Sequence, residues 1–182
     1  MELGIDILAM LFAAAFIAAF IDAIAGGGGL ITIPALLMTG MPPAMALGTN
    51  KLQAFGGALS ASIYFLRKRA VNLSEFSFIL LVIFIGSGIG TLLIQNSDAS
   101  LIKKGLPFLI LAIGLYFLFT PKLGESDRKQ RISYVVFALC FGSLLGFYDG
   151  FFGPGTGSLM NLACVTLLGF NLTKATAHAK VM

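Results

Sequence analysis

The chain has 182 residues and a net charge of +4. Apolar residues make up 58% and charged residues 11%, well under the roughly 25% charged of soluble domains, so the composition excludes a soluble domain and reads as an integral membrane protein. The modest positive charge lies in loops, where it suits anionic lipid headgroups at the cytoplasmic face and speaks against a nucleic-acid surface.

Glu2 and Asp6 stand where a secretory leader needs basic residues, so the apolar run over 5–25 is expected to be a retained span. Its alanines predict close contact with neighbouring helices rather than with lipid. Asp22 and then Gly26, Gly27, Gly28 and Gly29 interrupt it. Four glycines permit backbone angles that no helix uses, and non-helical backbone survives at membrane depth only where protein buries it or it lines a wet cavity. Residues 30–38 are too short to cross and predict a half-helix or re-entrant arm, since crossing takes about 20 apolar residues. After Pro42 and Pro43 the stretch 44–66 is long enough to cross, and Arg67, Lys68 and Arg69 mark its cytoplasmic end.

The next span is 76–94, where Gly86, Gly88 and Gly90 predict a small-residue packing face rather than a nucleotide fingerprint. A further span is expected over 106–119. The loop 122–131 carries Lys122, Arg128, Lys129 and Arg131 and belongs on the same side as Arg67. Residues 132–148 then lead into a second break at Asp149, and 159–168 form its apolar arm. Cys140 and Cys164 lie in apolar runs without metal-ligand spacing and read as small core residues.

The second break repeats the first. Gly26 follows Asp22 at the interval at which Gly153 follows Asp149, and Gly40 precedes Lys51 at the interval at which Gly169 precedes Lys180. Corresponding broken segments in two halves point to the binding site of a secondary transporter. The reading is an all-α, polytopic integral membrane protein with broken or re-entrant helices. It is one membrane domain, 1–182, of two homologous repeats, the first about 5–120 and the second about 132–182 and incomplete. An acidic amino terminus placed outside makes the repeats inverted if 30–66 crosses an even number of times, and parallel if it crosses once.

The segments FIDAIAGGGGLITIP with LGTNKL, and GFYDGFFGPGTGS with ATAHAKVM, resemble the two signatures of the sulfite exporter TauE/SafE family of bacterial and archaeal membrane transporters. The resemblance covers both repeats and implies a multi-pass permease of the cell membrane for sulfite, sulfoacetate or related sulfur-containing anions. Family members continue for several spans beyond the second lysine, so the resemblance also implies a chain truncated at Met182, whose terminal segment is expected to pack poorly.

Asp22 and Asp149 are the only acids expected at membrane depth, in equivalent positions. Each is read either as a proton-coupling or gating carboxylate or as an acceptor of backbone N–H groups at its break. Lys51 and Lys180 are the cations most naturally aimed at a small anionic substrate, beside half-helix amino termini that add N–H donors; the alternative has them snorkelling to an interface. Thr49, Asn50 and Gln53 beside Lys51, and Thr176 and His178 beside Lys180, are expected on the same walls. His178, the only histidine, is either a proton relay or simply hydrogen-bonded. Gly26 to Gly29, and Gly153, Gly155, Thr156 and Gly157, are candidates for an oxyanion nest, or else they only let the broken helices cross. No Walker A lysine, catalytic triad, metal-ligand spacing or cofactor motif is present, which makes a carrier the first reading and a membrane-embedded scaffold the alternative. The partners expected are the anion, the lipid bilayer and, in a possible homo-oligomer, further copies of the chain, with no nucleic acid.

Overall fold

The computed structural model describes residues 4–97 and 126–182, with 104–105, 107–108, 110–112 and 115 between them. The predicted span 106–119 falls largely, and Lys122 wholly, outside the described residues. Seven helices carry the description: α1 Ile5–Ala25, α2 Gly29–Met38, α3 Pro43–Arg67, α4 Leu73–Gln95, α5 Tyr134–Phe151, α6 Thr156–Leu167 and α7 Leu172–Val181.

Local chemistry explains their ends. Gly26, at φ 76°, stops α1 and returns its N–H to the Asp22 carbonyl. Pro43 starts α3 at a position where a missing N–H costs nothing. The Asn72 side chain caps α4 by accepting from Ser74 N–H at 3.2 Å, and Asn171 caps α7 by accepting from Lys174 N–H at 2.9 Å. α5 opens on a Ser133 cap and widens into a π-helical stretch over Phe137–Gly142 before resuming as an α-helix.

α4 and α5 run parallel and touch backbone to backbone. Gly86 lies against Ser143 and Phe147, Gly90 against Phe147 and Phe151, Gly146 against Ile83, and Gly150 against Ser87. Bare Cα atoms on both helices allow this approach, the usual means of packing helices where lipid offers no hydrophobic drive. Gly88 has nothing within 4 Å and faces away, so the packing face predicted there is Gly86 and Gly90 alone. Phe76 meets Tyr134 at a ring-centroid distance of 5.0 Å where the two helices begin. The parallel crossing therefore brings Arg67 to Arg69 and the Arg128 to Arg131 loop to one end of the molecule.

The main core joins these helices to α6 and α7 through Phe76, Ile79, Phe137, Cys164, Phe170 and Ala175. The expectation of a poorly packed terminal segment is overturned. Ala175 to His178 are buried, and the turn before α7 is tied to the basic loop by Arg128 N–H to the Gly169 carbonyl and Asn171 N–H to Asp127, both 2.7 Å. The close contacts expected along α1 are also largely absent among the described residues. Ala18 is fully buried, but Phe12, Phe16 and Phe20 are 75%, 68% and 65% exposed.

Among the described residues, α1, α4 and α5 are long and apolar enough to cross a membrane. α3 has the length at 25 residues, while Asn50, Lys51 and Gln53 make it more polar. Leu92 on α4, 62% exposed and off the central cavity, belongs with the α1 phenylalanines to a surface that water would not tolerate and lipid would. The chain is an all-α membrane protein.

Candidate functional site

The same succession of elements occurs twice: a long helix, a glycine break, a short helix, a left-handed glycine turn and a lysine-bearing helix. The breaks are residues 26–28 and 152–155, and Gly40 and Gly169, at φ 81° and 75°, form the turns. Asp22 lies in the last turn of α1. Asp149 lies inside the last turn of α5, before the break rather than at it as expected, because the helix continues to Phe151.

The two breaks cross in contact. A methyl group built on Gly26 would come within 2.6 Å of the Gly157 carbonyl carbon and the Ser158 nitrogen, so no other residue fits there. Gly29 faces Pro154 and leaves room for the buried Asn50 amide. Gly155, in the left-handed region at φ 77°, starts α6, and Tyr148 Oη holds the second break by donating to the Pro154 carbonyl at 2.5 Å.

Around this crossing the charges pair between halves. Lys180 Nζ on α7 lies 2.7 Å from Asp22 Oδ2 on α1, and Lys51 Nζ on α3 lies 3.3 Å from Asp149 Oδ2 on α5. Each acid is thus met by the lysine of the other half. Asp22 Oδ1 also accepts the Gly28 N–H at 3.0 Å, which is one of the two roles read for it, and Lys51 donates in addition to the Asp149 carbonyl. Lysine side chains drawn inward in this way are not snorkelling outward.

A cavity of about 960 Å³ opens at the crossing. Both ion pairs line it, with Asn50 and Asn161, and so do Gly27, Gly29, Gly153, Gly155, Thr156 and Gly157. The amino-terminal ends of α2 and α6 therefore face one space from two directions, each carrying the partial positive charge of unsatisfied N–H groups. The four side-chain charges sum to zero. A second cleft of about 480 Å³ lies at the surface between the end of α3 and the start of α7, away from the paired charges.

Six expected residues lie off the cavity, among them Thr176, which is buried within α7. Gly26 is consumed in the backbone crossing and Gly28 by its bond to Asp22. Thr49 is exposed and turns its hydroxyl to Met41. His178 is 3% exposed, stands between Phe76 and Phe170 at centroid distances of 4.4 and 4.7 Å, and its Nδ1 is 2.7 Å from the Lys174 carbonyl. It is a hydrogen-bonded core residue. Gln53 reaches the Ala15 carbonyl of α1 instead of the cavity. Conversely, Asn161 on α6 and Ser87 and Thr91 on α4 line the space and were not expected there. Asn161 follows Gly157 by one helical turn, so its place on the same face was readable once α6 was taken as a helix.

Comparison with known proteins places the site in context. The family model described as Sulfite exporter TauE/SafE matches residues 11–182. A "Probable membrane transporter protein" of Haemophilus influenzae is 76% identical over 182 residues, which are 100% of this chain and 71% of that protein. "Probable membrane transporter protein YfcA" of Escherichia coli K12 is 56% identical over 176 residues, 97% of this chain and 65% of that protein. "Probable membrane transporter protein ORF9" of a Sinorhizobium species is 50% identical over 181 residues, 100% of this chain and 69% of that protein. The chain thus spans 65% to 71% of the length of these relatives. No solved structure matches it.

Proposed function

The chain belongs to the sulfite exporter TauE/SafE family, and on that basis we propose that it acts in a secondary carrier that moves a small anion, sulfite or a related sulfur oxyanion, across the membrane. The observation that carries this reading is the cavity at the crossed breaks, where two half-helix amino termini and two lysines converge. An oxyanion seated there receives N–H donors and favourable dipole ends without needing a metal. We further read the two halves as homologous, inverted repeats, supported by the antiparallel course of their lysine helices. The end of α3 at Phe65 lies by the start of α7 at Lys174, and Ser62 bonds the Lys180 carbonyl.

The charge balance constrains the mechanism. With both lysines neutralised by carboxylates, a bound monoanion such as hydrogensulfite leaves the site with one uncompensated negative charge, which is costly away from water. Proton uptake by Asp149 removes that charge and frees Lys51 in the same event. On this reading the proton is the coupling ion.

Vesicles carrying the protein test this through uptake of labelled sulfite with and without an imposed proton gradient. Saturable uptake that rises with the gradient supports the carrier. Uptake indistinguishable from empty vesicles under both conditions would leave a scaffold whose breaks only pack.

A further inference from the structure

The two crossed ion pairs have the same chemistry but different surroundings. Lys180 is 8% exposed and Asp22 29%, their contact is 2.7 Å, and both ends are held by further bonds: Asp22 by the Gly28 N–H, and the Lys180 backbone by the Ser62 hydroxyl. Lys51 and Asp149 are 36% and 41% exposed, and their side chains are 3.3 Å apart. The Lys51 ammonium bonds the Asp149 backbone carbonyl as well, an anchor that remains when the carboxylate leaves. Gly153 keeps the space beside that ammonium open, since even a methyl group there would lie 3.3 Å from Nζ.

We propose that the two pairs divide the work. Asp22 and Lys180 form a permanent clasp between the first helix of one half and the last described helix of the other. Lys51 is the cation offered to the anion, which displaces the Asp149 carboxylate from it. The physical reason is the cost of separation. Opening the clasp strands a nearly buried ammonium without a counter-charge, whereas opening the other pair leaves both groups partly solvated. Lys51 is then the specificity-determining residue, and Lys180 a positioning residue that keeps the breaks crossed. The inference rests on the anion-carrier reading for the identity of the ligand, but not for the existence of the clasp.

The test uses the purified protein in detergent, in two arms. In the first, thermal unfolding is followed for Asp22→Asn, Lys180→Met, Asp149→Asn, Lys51→Met and the two paired double variants. Breaking the clasp is expected to lower Tm by about 5 °C or more, with the double variant far from additive. Breaking the other pair is expected to shift it by about 3 °C or less. Equal shifts for the two pairs, or the larger shift at Lys51, overturn the division. In the second arm, sulfite binding is measured by calorimetry. Asp149→Asn should bind as well as the unaltered protein or better, and Lys51→Met about tenfold more weakly. Lys180→Arg, which keeps the charge should Lys180→Met not fold, should lose clearly less affinity than Lys51→Met. A loss at Lys180→Arg that matches the loss at Lys51→Met overturns the assignment. Absence of sulfite binding by the unaltered protein counts against the carrier reading, and the Tm arm still decides whether the clasp exists.

Discussion

Lys180 closes on Asp22 across the two halves of the chain, 2.7 Å apart and 158 residues distant in sequence. The reciprocal contact of Lys51 with Asp149 spans 98 residues. Both breaks are pinned by the other half's charge, so neither half completes the site alone. Exchanging the charges tests this: Asp22→Lys or Lys180→Asp alone should be strongly destabilised, by about 3 kcal/mol or more, and the double exchange should recover part of the loss. Denaturation in mild detergent reads the difference, and no recovery would mean that the pair is fixed by its other bonds rather than by charge.

The glycine seam between α4 and α5 gives a second expectation. Gly90→Ala and Gly150→Ala drive a methyl group into the facing carbonyl, of Phe147 and Ser87 respectively. Each should cost about 1–3 kcal/mol or more. Gly88→Ala, one helix position from the seam with open space beside it, should be neutral or stabilising, because alanine is the better helix former. Thermal unfolding of the three variants separates a packed seam from an incidental run of glycines.

Gly26→Ala should abolish function without the remedy of a small shift, since the added methyl meets backbone at 2.6 Å and the residue holds φ at 76°. Gly57→Ala, in α3 with nothing within 4 Å, is the matched control and should transport sulfite normally. Comparable uptake by both variants would show that the backbone crossing is not required.

His178→Gln should lower stability while leaving the pH dependence of sulfite uptake unchanged. The ring lies between Phe76 and Phe170 with a bond to the Lys174 carbonyl and lines no part of the cavity. A proton relay at this position would instead shift the pH profile, which uptake measured across a pH series would reveal.

Much of the fold was readable because its determinants are local. The proline start of α3 and the glycine stop of α1 are each set within a turn of chain. The site was readable in its members and not in its connections. An acid and a lysine in each half suggest pairing, but only the crossing of Gly26 over Gly157 makes the pairs reciprocal, and that contact is between distant segments. Thr49 and His178 were misplaced for one shared reason. Each stands two residues before its lysine on a continuous helix, a rotation of about 200°, so neither can share the lysine's face. Sequence neighbours in a helix are not spatial neighbours. The outward face of α1 was misread because alanine content says that close contact is permitted, not that a partner stands there.

The central claim is that the anion is carried at the crossed breaks on Lys51. Its most direct test is the initial rate of labelled sulfite uptake into vesicles containing the protein, Lys51→Ala or Lys104→Ala, at matched protein content. Lys104 is exposed and lies outside the cavity. The account predicts that Lys51→Ala lowers the rate about tenfold or more, the loss of roughly one charge-assisted hydrogen bond, while Lys104→Ala stays within about twofold. Equal rates for the two variants at the level of the unaltered protein would contradict it.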